Sequence, residues 1–337
     1  MAKRGTSGVS CIVGVDKPQG MSSHDVVNAV RRVFGERRVG HTGTLDPLAT
    51  GALAVCVGPA ARLDAYMTSH DKVYDVRIAF GCATDTDDRL GEPIRTAPVP
   101  DAVCDPAFAA ATLARFVGPQ KQMPPAYSAI KRGGVKSYEA ARAGNVIALE
   151  PRDIEVYSAD LVGLERDPHA ESLYWDVRVS VSKGTYIRSL ARDIGAAVGS
   201  AAHVERLRRL WAGRLSVEDC CSLDALSARG LDAAIDPVHL LGFRMAFLDE
   251  GQAKAVSDGK RLDAAGLALF DAPRRFDDAD CGPRRCARES AAALNPGERV
   301  CLVHGNELRA IYGERGGART LYPCCVFSQG VIRGKGL

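Results

Sequence analysis

The chain has 337 residues, of which 46% are hydrophobic and 25% are charged, and its formal net charge is +3. This composition is typical of a soluble globular protein with room for one large domain and a small one. No apolar run approaches the roughly 20 residues that cross a bilayer, and the N-terminal sequence lacks the apolar core of a signal peptide. These features exclude a membrane-spanning or secreted protein, and we expect a cytoplasmic one.

The first clear element is a helix within residues 21–36. Ser22 and Asp25 have the spacing of a capping box at its start, and Gly35 is a typical residue for its end. The apolar residues between them recur at helical spacing and form one stripe. These residues are Val26, Val27, Val30, Val33 and Phe34.

A loop almost free of charge follows, with the sequence GHTGTLDPLATG at residues 40–51. Within residues 39–61, Asp46 is the only carboxylate, and His41 is the only other side chain that titrates near neutral pH. An aspartate before a proline is most simply a turn residue or a helix N-cap, here with Pro47 at the first helical position. Such a cap is compatible with a functional role, because a capped carboxylate is also held in place.

Three segments with strand patterns come next, at residues 52–58, 72–81 and 174–184. The first is a continuous apolar run, and the other two alternate apolar and polar residues. After residue 184 the apolar spacing becomes helical up to Val198. Strands and helices mix without a regular β-α-β repeat, which favours an α+β fold. The strand residues predicted to face inward are Tyr74, Val76, Ile78, Phe80, Trp175, Val177, Val179 and Val181.

The sequence ATDTDDRLGEP at residues 83–93 resembles a calcium-binding loop because it contains Asp85, Asp87 and Asp88. The spacing is wrong for that site, and Thr96 stands where the closing glutamate would fall. An Asx-rich turn, or an outer edge of the functional site, is the better prediction.

The composition shifts near residue 250, and short strand-like runs broken by glycine follow. We predict a domain of residues 1–250 and a small β-rich module of residues 251–337, with a polar insertion at residues 275–297. The insertion contains Cys281 and Cys286, the only pair among the eleven cysteines whose spacing suggests a metal. No second pair accompanies them and no Cys-x-x-Cys motif occurs, so we predict no metal site.

Two clusters of basic residues flank the uncharged loop. Residues 31–38 contain four arginines, and residues 178–214 contain eight basic residues against two acidic ones. A solvated helix face explains either cluster alone. The two clusters together indicate a polyanion that lies across the loop.

These segments together resemble the TruB family of tRNA pseudouridine synthases. The resemblance covers most of residues 12–215, and GHTGTLDPLATGALAVCVGPAARL (40–63) and SKGTYIRSLARDIG (182–195) carry it most specifically. It implies a mixed-sheet pseudouridine synthase catalytic domain, followed by a small β-rich module similar to a PUA domain only in pattern. The matching segments, in the order of the family, are 15–27, 40–63, 72–93, 122–142, 182–195 and 203–215.

The resemblance implies that Asp46 is the catalytic aspartate and that Arg188 pairs with it, while His41 contacts the RNA and helps to turn the nucleotide out. An aspartate with an ordinary pKa near 3.9 is ionised at neutral pH, and a nearby arginine keeps it so. The planar fork of an arginine matches a carboxylate. We expect Asp46 to be the only acid at the site, because a second carboxylate would repel the RNA backbone.

Three further residues match positions that hold the base in the family. Tyr74 matches the tyrosine that stacks on the target uracil, and Tyr186 and Leu207 match residues that line the base pocket. The simple alternatives are a core tyrosine for Tyr74, an aromatic residue at a helix start for Tyr186 and a surface cation for Arg188.

The reaction implied is the isomerisation of uridine to pseudouridine in the T-arm (the psi loop) of tRNA, on a nucleotide flipped out of the RNA. It needs no cofactor and no metal, and we expect a monomer. A non-catalytic RNA-binding protein and an aspartate-nucleophile hydrolase of small molecules remain alternatives, and attack at C1′ or at C6 stays open. The arginines expected to face the RNA are Arg31, Arg32, Arg37, Arg38, Arg206, Arg208, Arg209 and Arg214.

Overall fold

The computed structural model of the protein describes most of the chain. Cys281 and Cys286 lie outside the described residues, as does most of the predicted insertion. The described residues are 7–68, 70–127, 149–166, 172–273, 290, 293–315 and 320–334, together with the backbone alone of 131–132 and 135–136.

The strands and helices of the described residues are numbered here in chain order. The strands are β1 (Cys11–Lys17), β2 (Val39–Thr42), β3 (Thr50–Val57), β4 (Lys72–Phe80), β5 (Cys82–Thr84), β6 (Pro93–Thr96), β7 (Gly118–Gln122), β8 (Lys131–Arg132), β9 (Val135–Lys136), β10 (Arg152–Arg166), β11 (Leu173–Val181), β12 (Ala202–Ala212), β13 (Leu215–Ser216), β14 (Ala234–Ile235), β15 (Arg244–Phe247), β16 (Leu262–Asp263), β17 (Leu269–Phe270), β18 (Arg299–His304), β19 (Glu307–Glu314) and β20 (Thr320–Ile332). The α-helices are α1 (Ser23–Phe34), α2 (Asp64–Met67), α3 (Pro106–Ala114), α4 (Ile187–Ala197), α5 (Leu223–Arg229), α6 (Pro237–Leu241) and α7 (Glu250–Ser257).

Within the described residues, ten strands form one mixed sheet in the order β14-β1-β3-β12-β4-β11-β10-β7, with β2 beside β3 and β13 beside β12. Neighbouring strands are antiparallel except β3 and β12, which run parallel where Thr50 and Gly51 pair with Arg208 and Arg209. The loop that contains Asp46 directly precedes β3. It therefore lies at the middle of the sheet, where this parallel contact is made.

One face of the sheet is covered by α1, α3, α4 and α5, which share a single apolar core with the strands. β4 and β11 place their alternate apolar residues in this core, as predicted. Phe80 packs edge-on against Trp175, with ring centroids 4.7 Å apart. The other sides of β4 and β11 carry polar and charged residues, so these two strands bury one face only.

β1 and β3 are buried on both faces. Their second face, which includes Ile12 and Ala54, joins a core with a second sheet of order β16-β20-β19-β18-β15-β17. Cys301 and Phe327 are the contribution of β18 and β20 to this shared core. α7 covers the far side of the second sheet. The second sheet spans Arg244–Ile332, and the division of the chain at residue 250 stays a prediction.

The structure confirms the α+β class, the mixed sheet and the β-rich C-terminal region. It also confirms the predicted helix near residue 30, with the capping box of Ser22 and Asp25 and with Gly35 in the left-handed conformation at its end. No helix in the described part of the chain is both long and apolar enough to cross a membrane. Among the described side chains, no group of three or more His, Cys, Asp or Glu is arranged to hold a metal ion.

Candidate active site

The loop between β2 and β3 holds Asp46 in a tight turn. The backbone N–H of Ala49 donates to the carbonyl of Asp46 at 3.0 Å, which closes the turn. Of the two structures predicted for this aspartate, the turn is present, whereas the helix that Pro47 was expected to begin does not form. The run from Thr50 to Val57 continues as a strand too soon for a helix to develop.

Helix α1 and the segment before it fix the loop from one side. The hydroxyl of Ser23, at the first turn of α1, accepts from the N–H of Leu45 at 2.8 Å and donates to its carbonyl at 3.0 Å. The N–H of Gly20 donates to the carbonyl of Pro47 at 2.8 Å. The backbone groups of the residues on both sides of Asp46 are therefore hydrogen-bonded to α1 and to the segment before it. This fixes the position of the Asp46 backbone.

Arg209 fixes the loop from beneath and is only 1% exposed. Its Nε donates to the carbonyl of Ala52 at 2.7 Å, and its terminal nitrogens donate to the carbonyls of Gly43 and Thr44 at 3.2 and 3.5 Å. The prediction that Arg209 faces the RNA is therefore wrong. Strand alternation is the physical reason, because Arg208 and Arg209 are consecutive on β12 and point to opposite faces of the sheet.

Arg188 contacts Asp46 directly. Nε of Arg188 lies 2.9 Å from Oδ2 of Asp46, and the arginine side chain is 6% exposed whereas the aspartate side chain is 37% exposed. The two terminal nitrogens donate to the carbonyls of Thr86 and Tyr127, at 2.8 and 2.9 Å. The predicted pairing is present, but the fork of Arg188 binds backbone carbonyls, and a single nitrogen makes this contact with the carboxylate.

A second acid stands at the site, which corrects the expectation that Asp46 is alone. Oδ2 of Asp88, which is 5% exposed, lies 3.6 Å from Nη1 of Arg188. Oδ1 of Asp88 accepts from the N–H of Leu90 at 3.0 Å, in the Asx-rich turn predicted from the sequence. Asp46 and Asp88 are far apart in the sequence but flank one buried guanidinium, which offsets the repulsion between them.

Lys17 is a further cation near the loop and is fully buried at the end of β1. Its ammonium donates to the carbonyls of Met21 and Pro18, at 2.6 and 2.9 Å. Burial lowers the pKa of Lys17 to about 8, and the charge of Asp46 opposes this shift. Lys17 thereby holds the segment that bonds to the loop and adds positive charge close to the carboxylate.

A cavity of about 500 Å³ opens beside the loop, a volume within the range of sites for small ligands. Leu48, Thr50 and Leu207 lie in its wall, and Leu207 is the residue predicted to line the base pocket. The remaining lining residues are Gln19, Asp75, Val76, Arg77, Val162, Asp176, Val177, Arg206 and Arg208.

Tyr74 and Tyr186 lie on the elements that flank the loop. Tyr74 is 7% exposed, on β4 next to Arg209 of β12. Tyr186 is the N-cap residue of α4, two positions before Arg188. The side chain of Gln122 holds the backbone of Tyr186, because it accepts from its N–H at 2.8 Å and donates to its carbonyl at 3.1 Å. Their contacts with a base stay predictions.

His41 lies on β2 opposite Val55, and its Nδ1 is buried without a hydrogen-bond partner. Burial lowers the pKa of His41, while Asp64 opposes the shift and Arg209 adds to it. The ring is therefore held neutral with one unused polar atom. Its contact with RNA stays a prediction.

The other arginines predicted to face the RNA differ in how far they are engaged by the protein itself. Arg208 forms a bidentate pair with Asp16, at 2.8 and 3.0 Å. Arg31 donates to the carbonyl of Arg37 at 3.1 Å. The arginines of this set that are exposed are Arg32, Arg37, Arg38 and Arg206.

Four residues of the site were not assigned their observed role from the sequence: Lys17 and Gln122 were not singled out, Asp88 was placed only in an Asx-rich turn or at an outer edge of the site, and Arg209 was expected to face the RNA. Lys17, Asp88 and Arg209 are buried charges, and Gln122 is a buried amide. For Lys17 and Arg209 a usable signal was present, because each ends or interrupts an apolar strand on the side that alternation assigns to the interior.

Comparison with known proteins gives two family matches that adjoin in the sequence. The model described as the TruB family pseudouridylate synthase N-terminal domain matches residues 31–187. The model described as the tRNA pseudouridylate synthase B C-terminal domain matches residues 188–240. The boundary between them falls at Arg188.

Curated relatives share much of the sequence. A protein of Thermobifida fusca (strain YX) named tRNA pseudouridine synthase B is 42% identical over 257 residues, which are 76% of this chain and 87% of the relative. A protein of the same name from Burkholderia mallei (strain NCTC 10247) is 40% identical over 315 residues, 90% of this chain and 99% of the relative. A solved structure of a Cbf5-Nop10-Gar1 complex matches in fold, with a TM-score of 0.64, 22% identity, and coverage of 96% of this chain and 85% of that chain.

Proposed function

We propose, on the premise that this chain belongs to the TruB family of tRNA pseudouridine synthases, that Asp46 is the nucleophile of the reaction and that the T-arm of tRNA carries the target uridine. The chain is an isomerase of RNA modification that converts uridine to pseudouridine in tRNA. The cytoplasmic location and the monomeric state stay predictions.

The contact between Asp46 and Arg188 is the observation that supports the nucleophile. The carboxylate is one-third exposed while its partner guanidinium is almost fully buried. A substrate can therefore reach the carboxylate, while the guanidinium that contacts it lies behind it in the protein interior.

The reaction breaks the bond between C1′ and N1 of uridine and joins C1′ to C5 of the same base. The proton on C5 is lost, and N1 takes up a proton, so the atoms and electrons balance without an oxidant or a second substrate. Asp46 supplies the carboxylate that adds to the sugar or to the base while the uracil turns over, and this bond to Asp46 breaks again in the course of forming the product, which regenerates the free carboxylate. Attack of the carboxylate at C1′ and attack at C6 are both compatible with this proposal.

The uridine must leave the RNA stack to reach Asp46, at a cost of a few kcal/mol. Stacking of the detached base on an aromatic face recovers roughly 1–3 kcal/mol. Tyr74 and Tyr186 are the aromatic residues proposed for this role. Arg32, Arg37, Arg38 and Arg206 are proposed to contact phosphates, which sets the register of the RNA.

Asp46→Asn tests the nucleophile. The variant keeps the size of the side chain and loses the charge, so we expect kcat to fall more than about a hundredfold, or ~2.7 kcal/mol in barrier, with RNA binding retained. The measurement is tritium release from RNA labelled at C5 of uridine. Wild-type protein should act on a T-arm hairpin and leave an anticodon-arm hairpin unmodified. Turnover by the variant within tenfold of wild type would contradict the role of Asp46, and equal action on both hairpins would contradict the T-arm assignment.

A further inference from the structure

A second cavity, of about 550 Å³, lies where β4 starts and β12 ends. It shares no lining residue with the cavity beside Leu207. Its walls combine basic side chains with an indole ring. The lining residues are His70, Asp71, Lys72, Val73, Trp211, Gly213, Arg214 and Leu241.

Basic groups outnumber acidic ones around this cavity. Lys72 and Arg214 are cations, and Asp71 is the one carboxylate among the lining residues. The hydroxyl of Tyr157 donates to Oδ1 of Asp71 at 3.2 Å, which engages part of that charge. The surplus of positive charge in a partly enclosed space favours an anion.

The side chain of Lys72 hydrogen-bonds to backbone carbonyls in this part of the chain. Its ammonium donates to the carbonyl of Thr68 at 3.2 Å and to the carbonyl of His70, and both acceptors are neutral. Burial lowers the pKa of Lys72 to about 8, the charges of Arg209 and Lys183 add to the effect, and Asp71 opposes it. A phosphoryl oxygen would supply the negative charge that the two carbonyl acceptors do not.

The cavity adjoins the loop of the active site. Cε of Lys72 lies 3.9 Å from the position that a Cβ would take at Gly43, and Nη1 of Arg209 lies 3.6 Å from the same position. Arg209 donates to the carbonyls of Gly43 and Thr44. Thr44 lies two residues before Asp46 in the same loop. A ligand in the cavity therefore lies close to the backbone that positions the nucleophile.

We propose that this cavity binds a backbone phosphodiester of the substrate RNA next to the target nucleotide, with Lys72 and Arg214 contacting the phosphoryl oxygens and Trp211 contacting the adjoining nucleoside. An indole face is a common platform for a base or sugar in complexes with single-stranded RNA. The inference rests on the proposed function, because it takes the T-arm as the ligand. Free phosphate has the same oxygen chemistry and is the other source of such a ligand.

The test pairs variants with a scan of the RNA backbone. T-arm hairpins are made with one uncharged methylphosphonate linkage at a time and titrated with wild-type, Lys72→Gln and Arg214→Gln proteins. We expect one linkage at which wild type loses about tenfold in affinity. The affinity of the Lys72→Gln protein should not fall further when that linkage is uncharged. With unmodified RNA, the slope of log affinity against log salt concentration should be smaller for this variant by somewhat less than one. Lys121→Gln is the matched control, since Lys121 is exposed, pairs with Asp153 and lines neither cavity.

The proposal is overturned if, for both cavity variants, the loss of affinity from the substitution and the loss from the uncharged linkage multiply at every linkage. It is also overturned if neither variant differs from wild type in RNA affinity. Thermal unfolding of each variant is measured alongside, and Arg214→Gln carries the test if Lys72→Gln does not fold. If inorganic phosphate stabilises wild type but neither cavity variant while the scan shows no special linkage, free phosphate is the ligand and the RNA assignment is wrong. Tritium release by wild type from unmodified hairpin is scored in parallel, so a failure of the proposed function is recognised separately.

Discussion

Arg188 is placed to act on Asp46 and on the architecture around it at the same time. Its three nitrogens reach Asp46, Thr86 and Tyr127, which come from three different segments of the chain. A single ammonium cannot satisfy these three directions. The identity of the residue as arginine, and not merely its charge, is therefore what the site requires.

Arg188→Lys is accordingly expected to lower kcat by more than about a hundredfold, a change of ~2.7 kcal/mol in barrier, with a much smaller change in RNA affinity. Arg192→Lys is the matched control, because Arg192 lies one turn later on α4 and pairs with Asp87 instead of Asp46. Single-turnover kinetics with T-arm hairpin would measure both. Wild-type turnover by the Arg188→Lys protein would rule out the positioning role of the guanidinium.

Lys72 predicts a pH dependence of RNA binding. Its pKa in the free protein is about 8, lowered by burial and by Arg209 and Lys183 against the opposing charge of Asp71. A bound phosphate stabilises the charged ammonium and raises that pKa, so the contribution of Lys72 to affinity is complete below pH 8 and falls as the pH rises through 8. His70 does not reverse the sign, because its own pKa is lowered and it is neutral over this range.

The dissociation constant of the T-arm hairpin, measured from about pH 7 to about pH 9.5 at constant ionic strength, checks this expectation. The ratio between wild type and Lys72→Gln isolates the lysine, since ionisation of the RNA bases affects both proteins equally. The dissociation constant of Lys72→Gln divided by that of wild type should fall towards one as the pH rises. A ratio that stays constant over the whole range would show that Lys72 does not contact the phosphate.

At the scale of elements, the loop before β3 depends on a close approach between two strands. Gly51 has a φ of 106°, and a Cβ at this position would lie 2.8 Å from the backbone N of Arg209 and closer still to its carbonyl oxygen. Both facts require glycine, the first for conformation and the second for space. The approach is what lets the Arg209 side chain reach beneath the loop.

Gly51→Ala is therefore expected to destabilise the protein by roughly 2–4 kcal/mol, as overpacking and backbone strain add, and to lower turnover through displacement of the loop. Gly40→Ala is the control, because Gly40 has no positive φ and nothing within 4 Å of its Cβ position. Urea unfolding and tritium release would be measured for both. Equal stability of the two variants would contradict the tight contact.

The sequence predicted the elements better than the contacts between them. Periodicity identified α1, β3, β4, β11 and α4 because a stripe or an alternation is visible within about ten residues. It did not identify β12, whose run of arginines hides the alternation of Leu207 and Arg209. The pairing of Asp46 with Arg188 came from a family resemblance. The contact of Asp88 with Arg188 was not predicted, because the two residues are distant in the sequence and no local pattern reports such a contact.

At the scale of the whole molecule, the two sheets share one apolar core. Ile12 and Ala54 of the first sheet and Cys301 and Phe327 of the second are all at most 2% exposed within it. Two sheets joined in this way are expected to unfold as one cooperative unit. The catalytic loop then draws stability from residues far along the chain.

Cys301→Ser tests this cooperativity. A buried hydroxyl without a partner costs about 1–3 kcal/mol, and both tryptophans of the chain, Trp175 and Trp211, lie in the first sheet. Tryptophan fluorescence in urea should therefore detect the change, although it is made in the second sheet. Cys324→Ser, at an exposed position of the same sheet, should leave the transition unchanged. A tryptophan transition unmoved by Cys301→Ser would mean that the sheets unfold independently.

The two ends of the described chain meet at β1, and this arrangement dictates how the protein is made. Ile12 pairs with Ile235, and the N–H of Ile332 donates to the carbonyl of Ser10 at 2.8 Å. On the ribosome, β1 has to wait for residues 234–235 before its outer edge is paired. Pairings of such long sequence separation form slowly, and the waiting apolar strand is exposed to aggregation. The sheet that carries the nucleophile therefore keeps one open edge during most of its synthesis and closes only when β14 is available.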